Sequence, residues 1–246
     1  MKKLILLLVI TLFTLPLMAC QKEVPDYSIE EAFTLMNVAI QNYLDCDSLS
    51  LEYSGSYDGS NYQINEFMRV KMKNIGEDNF IGQVEMYVTE NGTDFNSVAD
   101  YESGWVYTAR ETDSSTDYVK KQLEQTEYVT LYKSFLKSTI DYSSTRDQSI
   151  LIDANTLTVH FELSSSDVTS TFFVTNVLDT VNFATVDITL DHDANLLSMS
   201  VEYAGKINSI EGTEKYNIAI LKMNQYIVIS QLSSSEKALY QEDTQS

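Results

Sequence analysis

Apolar residues near the start of the mature chain recur every three or four positions. One face of a period-3.6 helix collects seven of them: Ile29, Ala32, Phe33, Met36, Ile40, Tyr43 and Leu44. Ser28 and Glu31 have the spacing of a capping box, in which each residue bonds the backbone N–H of the other. The pattern predicts a helix from about 29 to 45 that ends near Asp45-Cys46-Asp47.

The next residues alternate between apolar and polar, which is typical of half-buried strands. Apolar side chains hold alternate positions in three runs: Leu49, Leu51 and Tyr53; Tyr62, Ile64, Met68, Val70 and Met72; Phe80, Val84, Met86 and Val88. Turns are expected at 74–78 and at Asn91-Gly92. Shorter strand candidates lie at 104–107 and 118–119, between acidic, serine-rich separators.

Helical spacing returns in mid-chain and is again followed by alternation. Six residues predict a helix of about 125–140: Tyr128, Leu131, Tyr132, Phe135, Leu136 and Ile140. A strand follows at 157–163, and Ser165-Ser166-Asp167 could cap a helix to about Thr180, although its β-branched residues disfavour one. Further strands are predicted at 186–190, 197–203, 207–210 and 216–229, with a hairpin at 192–195 and a polar tail after them.

The predicted order of helix, meander, helix, strand, helix and meander contains no repeat of fixed period and no long linker. Each strand offers one apolar face that must be covered. We therefore expect an α+β fold, in which helices cover one face of a mostly antiparallel sheet. The expected divisions are a signal peptide 1–19, a tether 20–27, one domain 28–232 and a polar C-terminal tail 233–246.

The first twenty residues have the layout of a secretory signal: two lysines, then an uncharged run from Leu4 to Leu17. That run is too short for a membrane span of ~20 residues. Leu17-Met18-Ala19-Cys20 resembles the bacterial lipobox. The resemblance implies cleavage before Cys20, a diacylglycerol on its sulfur and acylation of its new amine; the alternative is an ordinary signal cut after Ala19. Multiple acyl chains would anchor the protein stably at the extracytoplasmic face of the cell membrane.

The charge of the chain limits the partners that it can bind, and its cysteine content limits its thiol chemistry. The chain carries 36 acidic and 16 basic residues and a net charge of −20, which is unsuited to nucleic acid, because that binding relies on Lys and Arg. Such a surface also repels an anionic membrane, so the lipid must provide the anchor.

Beyond Cys20, the chain has only Cys46, which cannot form an internal disulfide. Its acidic neighbours should raise the thiol pKa, so we expect a structural residue.

Catalytic and metal-binding signatures are scarce, and we expect neither an enzyme nor a cofactor. The only histidines are His160 and His192, and sequence alone leaves a dispersed Ser-His-Asp set open. Asp191, Asp193 and Asn195 occupy positions 1, 3 and 5 of a calcium-loop pattern, with Glu202 at position 12. The sixth position is a leucine where the loop needs glycine, and a strand pattern follows it. These residues therefore predict a hairpin and no metal.

The lipobox at Cys20, the amphipathic helix and antiparallel run after it, and three later stretches together look like the LolA/LppX-like lipoproteins, including uncharacterised extracellular members from Gram-positive bacteria. The stretches are SGWVYTAR, EYVTLYKSFLKSTI and VDITLDHDANLLSMSVEY. The resemblance is one of layout and covers most of 28–230. It implies an unclosed, strongly curved β-barrel with helices as a lid, and some members hold lipid chains between sheet and lid. No binding residue can be carried over from it.

Two functions fit this picture. The first is a membrane-anchored lipoprotein that binds a lipid or another apolar ligand between sheet and helices. Methionines on the apolar strand faces suit either that role or ordinary core filling. The second is a ligand-free interaction or scaffold lipoprotein of the cell surface. An apolar cavity of several hundred Å³ would favour the first, because ligand pockets usually have that volume.

Cys20 provides the first test. We expect radiolabelled palmitate to enter the wild-type protein and a Cys20→Ser chain to leave the membrane fraction, because the acyl chains are the proposed anchor. Fractionation and autoradiography would measure both. An unlabelled wild-type protein, or a serine variant that still sediments with membranes, would leave a freely secreted domain instead.

Overall fold

The computed structural model describes residues 25–59, 62–111, 115–172, 178, 180–207 and 210–243. The helices of these ranges are α1 (Ile29–Leu44), α2 (Gln125–Lys133), α3 (Ser165–Thr171) and α4 (Ser234–Lys237), with a 3₁₀ turn at Tyr142–Ser144. The strands are β1 (Ser48–Gly59), β2 (Tyr62–Lys73), β3 (Ile81–Glu90), β4 (Thr93–Glu102), β5 (Trp105–Glu111), β6 (Thr116–Gln122), β7 (Thr145–Ile152), β8 (Thr156–Ser164), β9 (Thr180–Asp191), β10 (Leu196–Ile207), β11 (Ile210–Met223) and β12 (Gln241–Glu242). No helix in these ranges is both long and apolar enough to cross a membrane.

The strands form one sheet in the order β12-β6-β5-β4-β3-β2-β1-β11-β10-β9-β8-β7. Two antiparallel meanders, β1–β6 and β7–β11, are therefore joined by the pairing of β1 with β11. The short β12 pairs in parallel with β6. Because β7 and β12 do not pair with each other, the sheet stays open. This confirms the predicted α+β fold with an unclosed, mostly antiparallel sheet.

One face of the sheet is apolar and covered, and we call it the concave face. On β8 the alternation predicted from sequence is confirmed: Leu157, Val159, Phe161 and Leu163 are at most 1% exposed. We define the lid as α1, α2 and the segment 134–141. Helix α1 lies across β7 to β10. In α2, Tyr128 lies over Gly82, where a Cβ would come within 2.4 Å of the ring.

The two lid helices are fastened to each other by reciprocal hydrogen bonds. Tyr43, near the end of α1, donates from its hydroxyl to the carbonyl oxygen of Lys133 at 2.6 Å. The Lys133 ammonium donates in return to the carbonyls of Leu44, at 2.8 Å, and Cys46, at 3.3 Å. Carbonyls at a helix end lack intrahelical partners, so this buried lysine caps α1. Asn37 extends the attachment, because its amide bonds the backbone N–H and C=O of Ile140, each at 2.9 Å.

Helix α1 begins as predicted, with Ser28 and Glu31 in a capping box. The predicted helix of about 125–140 is wrong in length, since α2 ends at Lys133. Beyond it, Phe135, Leu136 and Ile140 are buried in an irregular segment rather than along a helix face. The residue that should have shared that face, Leu131, is 55% exposed.

Three further differences concern strands and the C-terminal segment. Strands β4 and β7 were not predicted, because few of their residues are apolar and buried. The two final strands predicted at 207–210 and 216–229 are replaced by the single strand β11. The segment assigned to a polar tail contains α4 and β12, and its Tyr240 contacts the rings of Tyr107 and Tyr118 edge-on. It covers the edge of β6, which would otherwise present unpaired backbone groups.

Replacing Lys133 with methionine tests the attachment between the lid helices. Two carbonyl groups would lose a buried donor, so we expect the free energy of unfolding to fall by ~1–3 kcal/mol. Lys121→Met, at an exposed position on β6, is the matched control. Urea denaturation would measure both variants, and equal losses would contradict a special role for Lys133.

Candidate functional site

The concave face changes from aliphatic to tyrosine-rich and acidic toward one end of the sheet. We call this group the tyrosine mouth; it consists of Tyr53, Tyr57, Glu66, Tyr203, Glu214 and Tyr216. Its members are cross-strand neighbours on β2, β1, β11 and β10. Gly55 of β1 lies opposite Glu66 and Tyr216, while Glu214 lies opposite Tyr57 and Tyr203. The pairing of β1 with β11 therefore brings the two halves of the chain together here.

Ring contacts and hydrogen bonds order the mouth. The Tyr53 hydroxyl donates to Glu66 Oε2 at 3.4 Å, and the Tyr203 hydroxyl donates to that of Tyr216 at 3.1 Å. The rings of Tyr53 and Tyr216 stack with centroids 5.9 Å apart. A Cβ at Gly55 would lie 2.4 Å from the Tyr53 hydroxyl oxygen, so a larger residue here would displace the Tyr53 ring.

Burial sets the protonation of these groups. It raises the pKa of Tyr53, Tyr203 and Tyr216 far above the ordinary value of a phenol, so all three stay neutral. Burial also raises the pKa of Glu66, while the hydrogen bond from Tyr53 opposes the shift. The mouth can therefore hydrogen-bond a polar group through hydroxyls and carboxyls, but these three phenols cannot act as bases near neutral pH.

The lid closes the mouth with apolar side chains. The ring of Phe135 stacks on Tyr53 with centroids 5.1 Å apart. Leu136 forms a β-bridge with Phe172, and the N–H of Lys137 donates to the carbonyl of Thr171 at 2.8 Å. Phe172 is fully buried. The cavity beside the mouth, between Tyr53, Tyr57, Glu66 and Glu214, measures about 20 Å³, which suits a single water. Lid residues such as Phe33, Met36, Tyr128 and Phe135 share one hydrophobic core with the concave face.

The residues singled out from the sequence do not join this site. Cys20 lies outside the described residues. His160 is on the opposite, convex face, where its Nδ1 lies 2.8 Å from Asp187 Oδ1. His192 is at the β9–β10 hairpin, where its Nε2 lies 3.0 Å from the Asp153 carbonyl. Cys46 is 2% exposed, and burial is the main cause of its raised thiol pKa.

The calcium-like pattern folds as the predicted hairpin. The Asp191 carboxylate accepts hydrogen bonds from the backbone N–H groups of Asp193 and Asn195, both at 2.9 Å, and one from the Asn195 amide at 2.8 Å. These bonds use the oxygens that a cation would need. The described part of the chain contains no group of three or more His, Cys, Asp or Glu side chains placed to hold a metal.

The sequence analysis did not single out the two glutamates of the mouth, although the hydrophobic pattern of their strands marks them. The even positions of β2 are apolar except for Glu66, which falls between Ile64 and Met68. Glu214 likewise precedes Tyr216 and Ile218 on the apolar face of β11. A carboxylate on the buried face of a strand marks a polar site, because such groups are rarely buried without a partner.

Structural comparison finds the same kind of fold in known proteins. LprF from Mycobacterium bovis aligns with a TM-score of 0.53 and 13% identity over 85% of this chain and 98% of LprF. The lipoprotein LppX from Mycobacterium tuberculosis aligns at 0.47 and 9%, over 82% of this chain and 100% of LppX. A LolA superfamily protein from Nitrosomonas europaea gives 0.28 and 11%, over 80% and 94%. No protein-family model and no curated protein matches the sequence. The alignment with LprF shows a shared fold, and it agrees with the predicted unclosed sheet that has helices on one face.

Glu66→Gln tests the electrostatics of the mouth. Because its pKa is raised, the folded state holds the proton to higher pH than the unfolded chain. The contribution of Glu66 to the free energy of unfolding is therefore complete below pH 4.5, the ordinary pKa of a glutamate. It is lost as the pH rises through the raised pKa of the folded state. We expect the variant to gain stability relative to wild type between pH 4 and pH 7, as measured by urea denaturation. Glu77→Gln, in an exposed turn, is the control; an equal pH response of both variants would contradict the assignment.

Proposed function

We propose that this protein is an extracytoplasmic lipoprotein, anchored through Cys20, that binds an acyl chain or a similarly apolar ligand between sheet and lid. The observation that carries the proposal is the cover of the tyrosine mouth. That cover is an irregular segment, 134–141, which presents Phe135 and Leu136 to the apolar floor. An apolar ligand can replace the contacts of these apolar side chains, although opening the segment would also break the hydrogen bonds of Lys137 to Thr171 and of Ile140 to Asn37.

The energies of such an exchange are comparable. Releasing Phe135, Leu136 and Phe172 would cost ~1.5–3 kcal/mol each, whereas a buried methylene contributes ~0.8 kcal/mol. About six to eleven methylenes would therefore offset the opened lid. A long acyl chain meets this requirement, and a short-chain acid does not. The hydroxyls and carboxyls of the tyrosine mouth would then face the polar end of the ligand.

The proposed tether leaves the mouth unobstructed. Tyr27, which precedes α1, stacks on His192 in the hairpin after β9. The mouth lies near the opposite end of that strand, where Tyr203 pairs with Ala184. Between Ala184 and Asp191 the strand rises ~23 Å at ~3.3 Å per residue. A tether of 21–26 spans at most ~20 Å, so it would hold the far end of the sheet near the bilayer.

The second candidate is the ligand-free interaction lipoprotein, and one observation favours it. Side chains of the lid and of the sheet form one hydrophobic core, and the cavity at the mouth is about 20 Å³ rather than several hundred. Under this alternative the lid is a permanent part of the core. The two candidates differ in whether the segment 134–141 can leave the sheet in the folded protein.

A reversible lock on the lid separates the two. Leu136 and Phe172 are directly opposed in an antiparallel bridge, where Cα atoms lie ~4.5–5.5 Å apart, within disulfide range. In a Cys20→Ser chain carrying Leu136→Cys and Phe172→Cys, we expect the reduced form to bind cis-parinaric acid, a long-chain fluorescent fatty acid. The oxidised form should bind at least tenfold more weakly, and reduction should restore binding.

The same protein in its two redox states is the matched control. Equal binding in the reduced and oxidised states would mean that the fatty acid binds at a site that the lid does not cover. Absence of binding in the reduced double variant and in the Cys20→Ser parent, together with no lipid in an organic extract of the purified protein, would support the scaffold role. Cys46 is buried, so it should not compete for the new thiols.

A further inference from the structure

The convex face of the sheet carries a second cavity, a trough of about 250 Å³ across its central strands. Its floor consists of short side chains on β1, β11 and β10: Ser54, Asn217, Ala219, Ser198 and Ser200. The register explains this floor. Ser54, Asn217 and Ser200 are successive cross-strand neighbours in one row, and Ala219 and Ser198 are neighbours in the next.

Larger groups form the walls on either side. Phe67 of β2 continues the first row beyond Ser54, and its ring lies 6.2 Å from that of Tyr87, which is 43% exposed. Asp187 of β9 continues the same row beyond Ser200. Between β2 and β9 there are four inter-strand steps, or about 19 Å at the usual spacing. The trough is therefore aromatic at one side and polar at the other.

Both carboxylates of the trough are engaged by side chains of the protein. Glu52 accepts a hydrogen bond from Arg69 at 2.9 Å, and Asp187 is paired with His160 at 2.8 Å. Beyond one end, Lys215 and Glu202 approach to 3.8 Å. The floor itself offers hydroxyl groups and the amide of Asn217. The floor between these two carboxylates is uncharged.

We propose that this trough binds a neutral saccharide chain. Pyranose rings present apolar C–H faces that pack on aromatic rings, and hydroxyls that bond to serine, asparagine and carboxylate groups. Chains joined by equatorial β-1,4 linkages are flat ribbons, and a sheet surface with a low floor accommodates a flat ribbon. The site lies on the face opposite the lid, so it is independent of the acyl-chain proposal.

Titration calorimetry on the Cys20→Ser chain with chitohexaose, a β-1,4-linked neutral oligosaccharide, tests the proposal. We expect saturable binding that Ser200→Tyr weakens at least tenfold, because the new ring would fill the floor while the concave core stays unchanged. Ser149→Tyr is the matched control: Ser149 follows His160 in the same convex row, but on β7, outside the trough. That variant should bind like its parent.

Three results would overturn the saccharide site: no saturable binding of chitohexaose or cellohexaose, retention of affinity in Ser200→Tyr, or an equal loss in Ser149→Tyr. Binding of cis-parinaric acid should be the same in the parent and in Ser200→Tyr. Urea denaturation of both variants checks that they are folded, and the fatty-acid comparison keeps this test separate from that of the lid. Loss of fatty-acid binding in Ser200→Tyr would also count against two independent sites.

Discussion

An open antiparallel sheet with one apolar face must be covered, and here the cover depends on Lys133. The lysine ends α2 and caps α1, while Tyr43 of α1 bonds back to the lysine's own carbonyl. The two helices lie over different halves of the sheet: α1 over β7 to β10, and α2 over Gly82 of β3. Their attachment therefore reinforces, on the concave side, the single strand pairing that joins the two meanders.

The same arrangement leaves the tyrosine mouth less firmly covered than the rest of the concave face. Helix α1 buries a continuous apolar face, and Tyr128 anchors α2 through a hydrogen bond to the carbonyl of Ala99 at 3.2 Å. The segment after Lys133 has no regular secondary structure and relies on Phe135, Leu136 and the clamp between Asn37 and Ile140. In the proposed binding of an acyl chain, this segment would move away from the sheet while both helices stay in place. Under the acyl-chain proposal, the packed interior would be the closed state, in which the protein's own aromatic groups occupy the position of the ligand.

How much of this structure the sequence could predict depends on how far apart along the chain the interacting residues lie. Helix α1 was predictable because its capping box and its apolar period are both local. Strand β4 was not, because Ala99 and Tyr101 are its only buried residues and the remainder reads as a polar loop. The segment 134–141 has helical spacing, but its burial is imposed by contacts with Tyr53 and Phe172. Both candidate sites depend on the register between β1 and β11, which are far apart in sequence, so no local pattern could reveal them.

Hydrogen exchange of the lid amides tests the central claim most directly. The N–H of Lys137 bonds the carbonyl of Thr171, and the N–H of Ile140 bonds the side chain of Asn37. If the segment opens within the folded protein, both amides should exchange with a lower free energy than amides of β1 and with little dependence on denaturant. If they exchange only with the free energy and denaturant dependence of global unfolding, the lid is a fixed part of the core and the acyl-chain proposal fails.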